Sequence, residues 1–528
     1  MGVGLILFLD VPSEAQYTAD FQTNAISGVA SNWVGDYIVG SNTVADALLI
    51  QAGGALTNWF GWLGYEANSG SNLVLVTDPG STWFHSTDSF GDNYTLTIGN
   101  YGSDNSLVVS NGARVINGSG LVGYNTNSVN NRVTVSGSGS VWSNTLGLTV
   151  GVAGSGNTVV IDSGGRVFST RAFLFSSNNT VIVTGGGSVW GDNGFGISVG
   201  TSGSGNSLVI SNGGNVYSGA SGMGTSASSA TGNLVLVTGP GSVWSINGSL
   251  NVGSTAGGNR LTISDHGQVT NGFGSIGVGT GSSNNSVRVL DSGVWRNNSL
   301  IVGNNGGRNS LFVVGGSVFA TGLTVGNSSA TCDNLLQLDS GNLVVTNSSA
   351  NAVFEVRRGK LILNGGTLQV DRFVMTNTCA QFIRTGGTLI YGTAVLTTNL
   401  DADGDGLPNG YEQSHGLDPL NASDANMDSD GDGMSNLQEF LAGTDPTNSA
   451  SAFRIIGIAQ EGDDIRITWT TAGGRTNVVQ TAVDFSGNYS NISPNIVVSG
   501  SGDATTNYLD AGAATNAPTR FYRIRLVP

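Results

Sequence analysis

Lysine is almost missing from this 528-residue chain, cysteine and proline are scarce, and charged residues of every kind make up only 10% of it. Each shortage excludes something. With 19 Lys and Arg against 35 acids, a net charge of −16 and Lys360 as the single lysine, the chain has no basic face for a nucleic-acid backbone. Two cysteines, Cys332 and Cys379, cannot make a disulfide framework, although one bridge is open to them in an oxidising compartment. No run reaches the roughly 18 apolar residues of a membrane-spanning helix. Three histidines and one lysine leave little for general acid–base chemistry.

What is abundant is glycine, 83 residues, beside 38% hydrophobic residues gathered in short Val, Ile and Leu runs. Gly plus Pro, 83 + 9 = 92 of 528, stays below the roughly 25–30% of disordered low-complexity chains, so the composition reads as folded and β-rich. The opening run at 2–9 reads as the apolar stretch of a signal peptide without a basic start. Residues 1–16 are expected to be its remnant, the alternative being a buried first strand.

A repeat governs the rest. Asn105-Ser-Leu-Val-Val-Ser-Asn-Gly-Ala-Arg-Val is a β run, a glycine turn and a second β run. The unit also starts at Asp46 and Asn72, and restarts at Asn131, Asn157, Asn179, Asn206, Asn233, Asn259, Asn285, Asn309 and Asn334. A third run closes on Val-Gly or Ile-Gly, as at Leu148-Thr-Val-Gly151 and Leu300-Ile-Val-Gly303. Three short strands in about 26 residues, unable to bury an apolar face alone, predict stacked coils. The expected fold is all-β: a parallel β-helix over 17–397, with some 13 coils at about 4.8 Å spacing, on the order of 60 Å long.

A Gly-Ser-Val-Trp turn recurs at Trp142, Trp190 and Trp244, with relatives at Trp83, Trp295 and Phe319, placing an aromatic on alternate coils. The reading is a repeated packing wedge; the alternative is an aromatic ladder for sugar rings. Strand–Gly-Gly–strand units after Asn334 are expected to cap the stack. Cys332 and Cys379 occupy similar places two coils apart, about 9–10 Å, beyond the roughly 7 Å limit for a bridge, so free thiols are expected. The units resemble the autotransporter and PEP-CTERM-associated β-helix repeats of bacterial surface proteins over roughly residues 25–395. That resemblance implies an exported, extracellular solenoid of adhesin-like character.

The acids are concentrated. Residues 401–450 hold eleven of them and no Lys or Arg. Asp401, Asp403, Asp405, Leu407, Asn409 and Glu412 stand at positions 1, 3, 5, 7, 9 and 12 of a calcium loop with glycine at 6. Asp428, Asp430, Asp432, Met434, Asn436 and Glu439 repeat the pattern 27 residues on. Without a cation, three aspartates within five residues repel one another, so about two Ca2+ ions are expected. A short helix after each loop is expected to stop at Gly416 and Gly443, each followed by Asp-Pro. Residues 398–450 resemble thrombospondin type 3 calcium repeats and, more distantly, dockerin and EF-hand loops. A dockerin would imply a cohesin partner, for which the helices are too short. Asp424 and Asn426 continue the donor alternation as in the thrombospondin type and are expected to help bridge the two sites. Residues 451–528 alternate like a small antiparallel β-sandwich. There Trp469, Tyr508 and Tyr522 read as core, with sugar binding as the alternative.

β-Helices also carry polysaccharide lyases and glycosidases, whose chemistry needs gathered carboxylates. Asp265, His266 and Asp291, with Arg288 near, occupy matching turns on adjacent coils and are the best catalytic candidates. Aspartate at a turn is also a local cap, the reading preferred here. The sequence therefore points to a bacterial protein exported to the cell surface or beyond, with a structural or adhesive role and a calcium-stabilised neck. Polysaccharide, cell-surface or matrix components and other copies of the chain are the expected partners. A polysaccharide-degrading enzyme and a self-assembling filament subunit are the alternatives.

Overall fold

A computed structural model describes residues 17, 19–86, 94–192, 194–328, 330–485, 487–516 and 519–527. The 1–16 segment lies outside them. Two compact units divide the chain, Met1–Val395 and Leu396–Pro528.

The first unit is a parallel β-solenoid. Its longest sheet has fifteen strands, from Thr23–Ser27 to Gln381–Arg384, one per coil of about 25 residues. Fifteen coils exceed the thirteen expected because the first strand and the last ones lack the opening asparagine. Two further rows of parallel strands complete each coil, and some strands, such as Arg114–Val122 and Gln268–Ile276, run through the corner between them. Alternation decides the faces. In Ser106–Ser110, Leu107 and Val109 are buried inside the coil while their neighbours face out, the period of two that a half-buried strand requires.

The opening asparagines form one interior ladder. Each side-chain oxygen accepts the backbone N–H of the residue one coil earlier: Asn131 Oδ1 from Asn105 at 3.0 Å, Asn157 Oδ1 from Asn131 at 2.9 Å, Asn285 Oδ1 from Asn259 at 2.9 Å. Side-chain amides of most rungs donate along the same line. The Val-Gly ending belongs to this device. Gly253 has φ +78°, and a Cβ there would stand 2.2 Å from Asn285 Nδ2, so only glycine leaves room for the rung. The ladder ends where Asn334 pairs with Gly359, which has no side chain to continue it.

Tryptophans 83, 142, 190, 244 and 295 are fully buried, which removes the sugar-ladder reading. They alternate with smaller residues along one row, Trp142, Val167, Trp190, Val216, Trp244 and Val269. The coil before each indole accommodates it. Trp142 Nε1 donates to Asn117 Oδ1 at 2.7 Å, and Trp142 Cζ2 occupies the space a Cβ on Gly120 would need; Trp295, Asn271 and Gly274 repeat the arrangement. At roughly 150–250 Å² buried per indole and about 25 cal/mol per Å², each wedge contributes about 4–6 kcal/mol.

Two expectations are corrected. Phe319 is not in the tryptophan slot: Val318 pairs with Trp295, because the Gly315-Gly316 turn is shorter than the others. Phe319 faces outward under the Arg296 guanidinium, 4.2 Å from its ring centre. Cys332 and Cys379 are not free thiols but a disulfide, with Cα atoms 5.4 Å apart. Their strands are indeed two coils apart. The coil between them connects Val353–Val356 to Gly359–Leu363 through only two residues, so its backbone adds no loop at that corner. The longer turns on either side, 326–333 and 376–380, meet across it.

The second unit holds two seven-residue helices, α1 (Asn409–His415) and α2 (Asn436–Ala442). Two antiparallel sheets follow, built on Asp464–Ala472 and on Thr476–Ala482. Ile467, Trp469 and Val479 are their buried core, flanked by Tyr508 and Tyr522. Trp469 Nε1 donates to Asn477 Oδ1 at 2.7 Å and the Tyr522 hydroxyl to Asp510 Oδ2 at 2.9 Å, so these aromatics pack rather than present a binding face.

Candidate metal centre

Each acidic loop is folded by its own first aspartate. Asp401 Oδ1 accepts the N–H groups of Gly404 (2.7 Å) and Asp405 (3.2 Å), and its Oδ2 accepts that of Gly406 (2.9 Å). Asp428 does the same with Gly431, Asp432 and Gly433 at 2.7, 3.2 and 2.8 Å. The sharp turn needs glycine at the sixth position: Gly406 and Gly433 both have φ +98°, a conformation that side chains resist. Asp405 and Asp432 then accept the N–H groups of Leu407 and Met434, both at 2.8 Å. Helices α1 and α2 end in left-handed Gly416 and Gly443. At its start α2 has a capping box between Ser435 and Gln438, whereas α1 begins after Pro408 with no side-chain cap.

This folding gathers carboxylates. Asp401, Asp403 and Asp405 bring ligand atoms within 4.8 Å of one another, as do Asp428, Asp430 and Asp432. A third group joins Asp405, Glu412 and Asp424. Asp424 lies in neither twelve-residue loop, yet its carboxylate joins the first cluster, while its backbone carbonyl accepts from Asn436 of the second loop at 2.7 Å. The signal in the sequence was its offset. Twenty-seven residues on stands Ser451, whose Oγ accepts the Asp445 N–H at 3.1 Å, just as Asp424 Oδ2 accepts that of Asp418 at 2.8 Å. The first site therefore has one carboxylate more than the second.

The buried oxygens are the fit test for a cation. Both oxygens of Asp403, both of Glu412, Asp405 Oδ2 and Asp424 Oδ1 are buried with no hydrogen-bond partner. Asp430 Oδ2, Asp432 Oδ2 and Glu439 Oε2 repeat this in the second loop. Lone carboxylate oxygens in a dry site cost several kcal/mol, and a hard divalent ion with six to eight oxygen ligands relieves that cost. Burial first, and then the neighbouring aspartates, push Glu412 up to about 9, Asp403 to about 8 and Glu439 to about 7. Burial likewise raises Asp405 and Asp424. Asn409 is already engaged: its Oδ1 accepts the Ala402 N–H at 3.0 Å and its Nδ2 donates to the Thr397 carbonyl at 2.8 Å. Asn436 donates to the Asp424 carbonyl at 2.7 Å, and its Oδ1 is buried without a partner.

The catalytic candidates are not drawn together in this way. Asp265, His266 and Asp291 have φ of +46°, +63° and +43° at exposed turns. His266 Nδ1 lies 3.4 Å from Asp265 Oδ1, with both side chains more than 60% exposed. Arg288 lies over Phe312, 5.4 Å from its ring centre. Left-handed turns favour aspartate for conformational reasons.

Among the described residues, no helix is long and apolar enough to cross a membrane. No curated protein and no solved structure matches the chain. Residues 401–422 and 428–449 match the bacterial TSP3 repeat family, a calcium-binding type.

Proposed function

We propose that this protein is an exported extracellular solenoid with a structural or adhesive role, whose 398–450 segment binds two calcium ions. The observation that carries the reading is the set of buried, unpartnered carboxylate oxygens in the two loops. In the first site Asp401, Asp403, Asp405, Glu412 and Asp424 hold the ion, and in the second Asp428, Asp430, Asp432 and Glu439. Calcium supplies the charge that lets these carboxylates ionise while buried, and so stabilises the fold of the segment. The Cys332–Cys379 disulfide suits an oxidising compartment outside the cytosol. The interior ladders and buried tryptophans serve stacking, which supports a scaffold over an enzyme.

Calorimetric titration of the metal-free protein tests the reading, with melting followed in parallel. Two binding events are expected. Calcium at 100 times the dissociation constant should stabilise the second unit by about 2.7 kcal/mol for each occupied site, about 5.4 kcal/mol for two. Glu412→Gln should weaken the first event on the order of 100-fold, and Glu439→Gln the second, because ligand charge sets affinity in such loops. A chain that takes up no calcium at millimolar concentration refutes the reading.

A further inference from the structure

A second interior ladder runs through the solenoid, at the corner after the tryptophan row. Asn58, Asn117, Ser169, Ser218 and Asn271 receive the indole N–H of the next coil. The alternate coils meet a small residue there, so their ladder positions have no indole to serve. Asn144 and Asn297 accept from the neighbouring asparagine amides at 2.8 Å, His85 Nδ1 lies 2.8 Å from the Trp59 carbonyl, and Ile246 needs no partner at all. Asp192 is the odd one out. It is the one carboxylate in these positions, only 8% exposed. Its Oδ2 accepts the Gly196 N–H while its Oδ1 has no partner. Since isoleucine fills the same position two coils on, the stack does not require a carboxylate there.

Asp192 lines a depression of about 490 Å³ spanning three coils, with Tyr217, Ser218, Ser245, Ile246 and Asn247 around it. Tyr217 projects outward and is half exposed. Its neighbour in the row is Gly191, paired between Phe168 and Tyr217, so no side chain crowds the ring from that coil. Here a flat aromatic face, a hydroxyl and an amide share one concave surface, with a carboxylate oxygen that no donor meets buried behind it.

We propose that this depression is a carbohydrate subsite, in which a pyranose ring lies on Tyr217 and its hydroxyls donate to Asp192 and exchange hydrogen bonds with Ser245 and Asn247. The chemistry matches group by group. The C–H face of a sugar ring covers an aromatic ring, its hydroxyls are the donors an unpaired carboxylate oxygen lacks, and the amide both donates and accepts. Because Oδ1 is buried and Oδ2 is held by the Gly196 N–H, binding requires the carboxylate to turn about its Cβ–Cγ bond. Burial raises the Asp192 carboxyl against the lowering effect of the Gly196, Gly219, Gly194 and Phe195 N–H groups, and a buried acid of this kind suits a neutral polyol better than an anionic ligand.

The test titrates the full chain with cello-, chito-, xylo- and β-1,3-gluco-hexasaccharides, using calorimetry and saturation-transfer NMR, in calcium and in chelator. At least one should bind, with transfer to tyrosine protons, and equally with or without calcium, because the subsite lies in the unit that holds no acidic loop. Tyr217→Ala, an outward position that leaves the core intact, and the isosteric Asp192→Asn should each weaken binding at least ten-fold with an unchanged circular-dichroism spectrum. Ser143→Ala, on the same outward row three coils away, should change nothing. Binding by none of the four sugars, binding untouched by both variants, or binding abolished by chelator overturns the proposal. The last two outcomes leave the calcium reading intact, and loss of calcium uptake in turn leaves this subsite intact.

Discussion

Replacing Asn233 by alanine removes one rung from the middle of the asparagine ladder, and its cost can be worked bond by bond. Asn233 Oδ1 accepts the backbone N–H of Asn206 at 2.9 Å and its Nδ2 at 3.0 Å. Asn233 Nδ2 donates to the Ala230 carbonyl at 2.8 Å and to Asn259 Oδ1 at 2.9 Å. Two of these partners have alternatives: Asn206 Nδ2 also reaches the Gly203 carbonyl at 3.2 Å, and Asn259 Oδ1 also accepts the Asn233 N–H at 3.1 Å. The Asn206 N–H and the Ala230 carbonyl are left without a side-chain partner in a corner that is about 1% exposed. At about 1–3 kcal/mol for each stranded buried group, the loss should be about 2–6 kcal/mol. A solenoid unfolds as coupled coils rather than in one step, so the loss must be read locally. Native-state hydrogen exchange, followed by mass spectrometry on peptides covering Ser207–Ser211 and Leu234–Thr238, gives that local opening free energy. A fall of about 2–6 kcal/mol in those coils, fading within a few coils on either side, is expected. A change below about 1 kcal/mol would show that the ladder is an ornament of the coil and that apolar packing alone fastens it.

Three further outcomes follow from the structure. In chelator, Glu412, Asp403 and Glu439 bind protons more tightly folded than unfolded, since their carboxyls rise to about 9, 8 and 7. The second unit should therefore gain stability as pH falls from 9 towards about 4, and calcium should reverse the trend; denaturant melts at pH 5 and 9 check both signs. His85 is fully buried and held down at about 4 by that burial, so its neutral form is the folded one. Stability of the coils around Thr82–His85 should be complete above pH 6.5 and decline as pH drops from there to 4, a slope that His85→Asn should flatten in exchange measured across that range. Reducing the Cys332–Cys379 disulfide opens a 47-residue closure. It should cost the last coils about 4 kcal/mol by loop entropy, visible as faster exchange in Gly359–Leu363 and Gln381–Arg384 and absent from coils near Ser106–Ser110.

The sequence alone was enough for whatever repeats in register. An asparagine, a Val-Gly ending and a Gly-Ser-Val-Trp turn recurring near 26 residues identified parallel coils, because stacking translates each position onto its equivalent one coil away. Twelve residues with oxygen donors at alternate places marked the two acidic loops that gather carboxylates and match the TSP3 repeat, because such a pattern wraps its donors within a short, tightly turned segment. Even the indole device left a trace: an Asn-x-x-Gly precedes Trp142 by 25 residues as Asn117 and Gly120, and Trp295 by 24 as Asn271 and Gly274.

What depended on lengths between the repeats was decided by tertiary structure. A Gly-Gly turn shorter than the others moved Phe319 out of the tryptophan slot, since a one-residue slip in a strand reverses inside and outside. A two-residue connection at one corner let Cys332 and Cys379 meet across a coil that strand spacing alone would keep between them. Asp424 joined the first carboxylate cluster from outside its loop, and Asp192 and Tyr217, on successive coils, came to line one depression. Periodicity states which residues are equivalent; only the folded turns decide which inequivalent residues touch.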